Sequence, residues 1–518
     1  MRVAALLLFL AAAAPAAAGD ALALALADAR ALPPDARPHV RYLELPASIP
    51  EQARAEFLKV LAFHVNSLSR EAEFAPPAGR PEAWLVSPTL LRIDLRDYGW
   101  DPKVYERLGP LDPYYHVKVR TSEFEEVDEL QTVGRYYLGG RPVRPGTPGA
   151  VWVDEGKEPT GRKIKRPKGG AKAKDATAAA PWLDPAAIAD LVALTQSQVP
   201  LLRADWFFVQ TARELDREDV KTNAGYYEFL GIASRGDILK LTGLDEKVSR
   251  KIQREVAAIV QESGVAVNNR QVLRKGAQAG GVWFTLDVAG GKDRRNALRL
   301  LDGDFVAEAE EIYFTLPNRL FGLAAVNAGD GTLQDFVPEK FAGDRSTTNN
   351  DFRVHPGLSC IRCHVEGLRP IRDWARSFYS GDVQLTSPDY QKLKSLRSLY
   401  LAPLEDDYEA DQLVYSRALF RLTGMKPGEM AAAYSRAWSA YVDREVTGAA
   451  FAAELGVGEN ELRAALLRAQ AGASAQKPAG QLDPILLGYL KRPEFTARRE
   501  HVEEVFVLAA SFMRGVIP

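Results

Sequence analysis

Cys360-Ile361-Arg362-Cys363-His364 is the stretch on which the reading of this chain turns. It is a C-x-x-C-H run, the pattern at which a c-type haem is covalently attached. The spacing has a chemical reason. Two thiols add across the two vinyl groups of one porphyrin, and the next imidazole then lies under the iron as proximal axial ligand. Cys360 and Cys363 are the only cysteines in 518 residues. A thioredoxin-type redox pair calls for a βαβ context, and the flanking sequence offers none. A closed zinc site wants four ligands, and there is no second cysteine pair. The run therefore names Cys360 and Cys363 as thioether anchors, His364 as iron ligand, and one covalent haem c as cofactor.

The N-terminus supports that reading. Arg2 precedes the apolar run Leu6-Leu7-Leu8-Phe9-Leu10, and Ala16-Ala17-Ala18 is a small-residue cleavage site, so residues 1–18 read as a signal peptide. Gly19-Asp20 opens the mature chain. The stretch 21–27 stays apolar enough for an uncleaved anchor, but Asp20 interrupts the run and favours cleavage. No later stretch is long and apolar enough to span a bilayer, and no cysteine follows the signal to carry a lipid. The expectation is an exported protein, periplasmic in a bacterium, where covalent haem attachment takes place. A net charge of −2 gives no global argument for nucleic acid, and the length suits two or three domains.

Residues 19–140 read as an α+β region. Ser48-Ile49-Pro50-Glu51 is a capping box opening a helix, with Phe57, Leu58, Leu61, Val65 and Leu68 on its apolar stripe. Residues 84–95 read as a strand. Residues 141–180 carry Pro142, Pro145, Pro148, Pro159 and Pro167 with a basic tract from Arg162 to Lys174, and read as a loop or linker. The tract is either a solvated insertion or a docking element for an acidic partner. Residues 181–350 read as a second α+β region. Asp184-Pro185 opens a helix. Another helix is expected from about Asp245, with Val248, Ile252, Val256 and Ile259 inward and Gly264 closing it. Residues 282–284, 311–316, 320–326 and 332–337 read as strands, the last two joined by a turn at 328–331. Residues 351–518 read as helical and cytochrome c-like. Its apolar faces are Met430, Tyr434, Trp438, Tyr441 and Val442, then Leu462, Leu466 and Leu467, then Val502, Val505, Phe506, Ala509 and Met513. The fold class is α+β, mostly helical, with a small antiparallel sheet before the helical haem-binding region.

Several runs carry a family resemblance. They are Arg203-Ala204-Asp205-Trp206-Phe207, Ser263-Gly264-Val265 with Asn269-Arg270, Glu311-Ile312 with Leu316-Pro317-Asn318 and Leu320, and Gly357-Leu358-Ser359-Cys360 onward. With the run from Arg92 to Trp100, they make residues 85–375 resemble a group of exported bacterial monohaem c-type cytochrome-like proteins. The resemblance implies a c-type haem and an exported protein; it supplies no substrate. Arg319 departs from the pattern, where glycine is expected, and puts the tight turn there in doubt.

The iron's second axial position separates electron transfer from catalysis. Met425 is the first candidate. It follows His364 by 425 − 364 = 61 residues and sits in the loop-like run Thr423-Gly424-Met425-Lys426-Pro427-Gly428. Met430 and Met513 lie on apolar helical faces and read as core. His355 is an alternative ligand or a neighbour of a propionate. His64 reads as a core histidine, while His116, His501 and His39 give no firm placement. Arg372, with Arg369 and Trp374, is a candidate to hold the haem propionates, because a guanidinium fork matches a carboxylate. Asp94, Asp97 and Asp205 read as partners of Arg92, Arg96 and Arg203 rather than catalytic carboxylates. The expected activity is one-electron transfer with a redox partner protein. The alternatives are a haem enzyme of peroxidase type with an open distal site, and a haem-containing binding or sensor module.

Overall fold

The computed structural model describes residues 18–46, 49–77, 79–121, 124–138, 141–143, 151–167, 174–212, 225–247, 254–260, 270–287, 307–337, 343, 354–373, 400, 404–442, 445–476, 483–492 and 494–513. The fold is α+β, as expected from the sequence. It divides into two compact units, residues 117–178 and the remainder of the chain.

In the larger unit the helix Ala18–Ala31 buries Ala21, Leu22, Ala25, Leu26 and Ala29, one stripe at helical spacing, and packs against the helix Pro185–Thr195. The apolar stretch 21–27 therefore belongs to the core. Of the expected signal peptide, residues 1–17 lie outside the described residues, and Ala18 opens this helix. Pro185–Thr195 starts where expected, with the Asp184 carboxylate accepting the Ala186 amide at 3.0 Å. The helix Glu51–Asn66 takes Pro50 as its cap with no side-chain cap bond, so it begins later than the capping-box reading. Ser48 lies outside the described residues.

A four-stranded sheet has the order Leu85–Ser87, Leu90–Asp94, Val40–Glu44 and Leu201–Arg203. Its last pair is parallel and the others antiparallel. The expected single strand at 84–95 is thus two strands. Arg203 is buried and forks onto Asp205, as read from sequence, and also pairs with Glu454 at 2.9 Å. Asp94 pairs with Arg96, but Arg92 pairs instead with Asp28.

The second sheet is six-stranded and antiparallel throughout. Its order is Val256–Val260, Arg270–Gly276, Gly281–Asp287, Ala309–Thr315, Phe321–Asn327 and Leu333–Gln334. The four later strands match the sequence reading. Val256 and Ile259, assigned to a helix face, are in the first strand instead. A short apolar run fits both periodicities, and the β-branched Val256, Ile259 and Val260 fit the pleated ladder better. Val248, Ile252 and Gly264 lie outside the described residues. The turn at 317–319 closes with Arg319 in its expected place. Its φ is +74, a left-handed conformation that costs a non-glycine residue roughly 1–3 kcal/mol.

The helix Leu404–Thr423 locks onto this sheet through its acidic side. Asp411 accepts from Trp283 Nε1 at 2.9 Å and from the Arg274 fork at 3.1 and 3.2 Å, and Asp407 takes Arg254 at 2.8 Å. The helix Pro427–Tyr441 follows and buries Met430, Tyr434, Trp438 and Tyr441 on one face. Farther on, Leu462 and Leu466 are buried but Leu467 is 55% exposed, so it leaves the expected face. Val502, Val505, Phe506 and Ala509 are buried in Arg499–Met513 as read, with Met513 part-buried.

In the unit 117–178 the strands Phe124–Leu138 and Val151–Pro167 pair antiparallel. Much of the expected 141–180 linker is therefore strand. The register sets Glu125 opposite Arg166, Glu126 opposite Lys165 and Asp128 opposite Lys163.

Candidate functional site

The C-x-x-C-H run starts at the last residue of a π-helical turn, Pro356–Cys360, and continues as the short helix Ile361–His364. The His355 carbonyl accepts the Ser359 and Cys360 amides at 2.6 and 3.3 Å, and Ser359 Oγ accepts the His355 amide at 3.2 Å. Gly357 is needed there, since a Cβ would stand 2.3 Å from the Ala212 carbonyl and 2.5 Å from the Tyr226 ring. In this helical backbone Cys360 and Cys363 are three apart and so lie on one side. Cys360 is part-buried, Cys363 is exposed, and neither is in a disulfide.

His364 Nδ1 lies 3.0 Å from the Gly367 carbonyl oxygen, which can only accept. Nδ1 therefore carries the proton, and Nε2 keeps its lone pair. Burial, opposed by the Gly367 carbonyl, lowers the imidazole's pKa below its ordinary value and keeps it neutral at pH 7. A neutral imidazole with Nδ1 tied to a carbonyl is the form that presents Nε2 to a metal. Its ring packs against Tyr313 at 4.9 Å between centroids, and Tyr313 continues to Phe321 at 4.5 Å, which stacks on Tyr415 at 4.6 Å. The Tyr313 hydroxyl is buried with no hydrogen-bond partner among the described residues.

One face of Leu404–Thr423 grips the segment after the histidine. Tyr415 donates to the Val365 carbonyl at 2.6 Å, and Tyr408 to the Leu368 carbonyl at 3.2 Å. Gln412 both donates to the Glu366 carbonyl at 2.6 Å and accepts the Leu368 amide at 2.8 Å. Gly367 sits between these bonds at φ +102, and a Cβ there would stand 2.2 Å from the Gln412 amide oxygen. Sequence reading missed Tyr313, Tyr408, Gln412 and Tyr415. The positions 408, 412 and 415 share one helical side, but nothing local says that this side faces backbone.

Among the other candidates, Met425 is part-buried at the bend between Leu404–Thr423 and Pro427–Tyr441. The second of these helices packs against Ile361–His364, and a Cβ on Gly428 would lie 3.6 Å from the Glu366 carboxylate. The bend thus neighbours the residues after the motif. Met430 is fully buried, as read. Arg369 donates to the Cys363 carbonyl at 2.8 Å and pairs with Glu366 at 3.0 Å. Arg372 is exposed and makes no ion pair among the described residues; Trp374 lies outside them.

His64 is the core histidine expected. Thr211 Oγ donates to the Phe207 carbonyl at 2.7 Å, so it accepts from His64 Nε2 at 2.8 Å. Burial pushes the His64 pKa down to about 3. His116 is also structural, with Nδ1 at 2.7 Å from Asp112 and Nε2 at 3.0 Å from the Gln198 carbonyl. His355 is part-buried with its ring near Phe336, and His501 is exposed. No protein-family model, curated protein or solved structure matches the chain.

Proposed function

We propose that the chain is an exported c-type haem protein that transfers single electrons to or from a redox partner protein. One observation carries the reading: the tautomer of His364. Its Nδ1 donates to the Gly367 carbonyl within the same turn that brings Cys360 and Cys363 to one side, so Nε2 is left as a neutral donor. The donor set fits a haem held by two thioethers and one imidazole. Bound there, the haem supplies a reversible ferric–ferrous couple.

The protein's own part is to fix the imidazole. Tyr408, Gln412 and Tyr415 hold the 365–368 backbone, which holds the Gly367 carbonyl, which holds the ring. Outer partners of this kind set ligand orientation and basicity, and through them the potential. Arg372, which is exposed, remains the candidate for a propionate, and Met425 the candidate for the second axial position.

Voltammetry of the haem-loaded full chain tests the reading. A reversible one-electron wave, with Met425→Ala opening the iron to cyanide, is the expected result. Sustained turnover of peroxide by the parent chain would overturn it in favour of a haem enzyme.

A further inference from the structure

The helix Leu404–Thr423 grips the segment after His364 with one side and leaves another side open. Among the described residues four large apolar side chains are exposed, and three of them are on this helix. Leu413 is 49% exposed, Val414 40% and Phe420 55%. At about 3.6 residues per turn, Leu413 falls near the middle of the exposed arc, Phe420 lies two turns on, and Val414 is at its edge.

The charges on this side are ordered about Leu413. Glu409 lies four residues before it and Arg417 four after; Glu405 lies eight before and Arg421 eight after. All four are exposed. The helix dipole accounts for Glu405 in the first turn and Arg421 in the last, but its effect fades beyond those turns and does not reach Glu409 and Arg417. These two make no ion pair among the described residues. They stand about 12 Å apart along the helix axis and cannot meet each other.

We infer that this side is a contact between two copies of the chain, packed antiparallel about a twofold axis through Leu413. The twofold sets residues equally far before and after Leu413 opposite one another, so Glu409 of each copy meets Arg417 of the other. The two leucines meet at the axis, and Phe420 extends the apolar strip toward its ends. A parallel pair in register would instead oppose Glu409 to Glu409 and Arg417 to Arg417. One pair of helices makes a small interface, so the dimer is weak and reversible. The inference is independent of the haem, because none of these residues belongs to the attachment site.

Sedimentation equilibrium of the full chain at rising concentration, with reductant to keep Cys363 from cross-linking copies, tests it. The expected result is a monomer–dimer equilibrium that weakens as salt is raised. Glu409→Arg and Arg417→Glu each bring like charges together at both contacts and weaken the dimer about tenfold. The double variant Glu409→Arg, Arg417→Glu recovers the parent affinity, and an equimolar mixture of the two single variants forms a heterodimer. The melting temperature checks that each variant is folded. A parent chain that stays monomeric at every concentration, a dimer indifferent to both single reversals, or folded single variants that fail to pair in the mixture would each overturn the inference.

Discussion

Gly367→Ala is the sharpest perturbation of the site. The new Cβ meets the Gln412 amide at 2.2, 2.5 and 2.7 Å, and the backbone stands at φ +102. Two costs follow. An L-residue with positive φ loses about 1–2 kcal/mol. Displacing Gln412 breaks its bonds to the Leu368 amide and the Glu366 carbonyl, about 1 kcal/mol each. The substitution should therefore destabilise the chain by about 3–4 kcal/mol. In a Gln412→Ala background the clash and the two bonds are already gone, so only the backbone cost of about 1–2 kcal/mol remains. The double-mutant cycle then shows a coupling of about 2 kcal/mol. Urea unfolding of the four chains, followed by tryptophan fluorescence, measures it. Additive effects, within about 0.5 kcal/mol, would refute the reasoning that these two side chains share one space.

Two buried histidines predict opposite pH responses. His64 is held near 3 by burial, against an ordinary value of 6.5, so the unfolded chain takes up a proton that the folded chain refuses. Stability falls as pH drops below 6.5, by about 2 kcal/mol at pH 5, and His64→Leu removes that dependence. An unchanged pH 7-to-5 difference in the variant would contradict it. For His116, burial opposes the charge, but the bond and charge of Asp112 and the Gln198 carbonyl outweigh it and raise the pKa. Its stabilisation is full below 6.5 and is lost as pH rises through the raised value. Asp112→Asn should abolish that alkaline loss, read from melting temperatures between pH 6 and 9; a parallel fall in both chains would count against it.

The legible parts of the fold were those with redundant local signals. Asp184-Pro185 names a helix start by cap and first residue together, and the runs 320–326 and 332–337 with the turn at 328–331 name a hairpin by pattern and turn. Val256 to Val260 failed because five apolar residues carry no period of their own, and their pairing with Arg270–Gly276 decides the matter. The strand Val151–Pro167 failed because its prolines and lysines suggested a solvated loop, whereas its backbone pairs with Phe124–Leu138, a partner that no local signal names. Of the candidate site, the anchors and the histidine were visible as a motif. The groups around the histidine were not, because Tyr313 meets its ring, and Gln412 the backbone just after it, from 51 and 48 residues away from His364 in sequence (364 − 313 and 412 − 364). Arg319 was visible as an exception to a pattern, and the structure gives that exception a conformation and a place.

The central claim rests on covalent haem at Cys360 and Cys363. The direct measurement is the alkaline pyridine spectrum of the full chain, expressed with its N-terminal segment and a haem-attachment system, after acid-acetone extraction. The account predicts a reduced c-type haemochrome band that survives extraction and disappears in the Cys360→Ala, Cys363→Ala double variant. A chain that carries no haem after extraction would contradict it, and the C-x-x-C-H run would then be a dithiol with a neighbouring imidazole and no porphyrin.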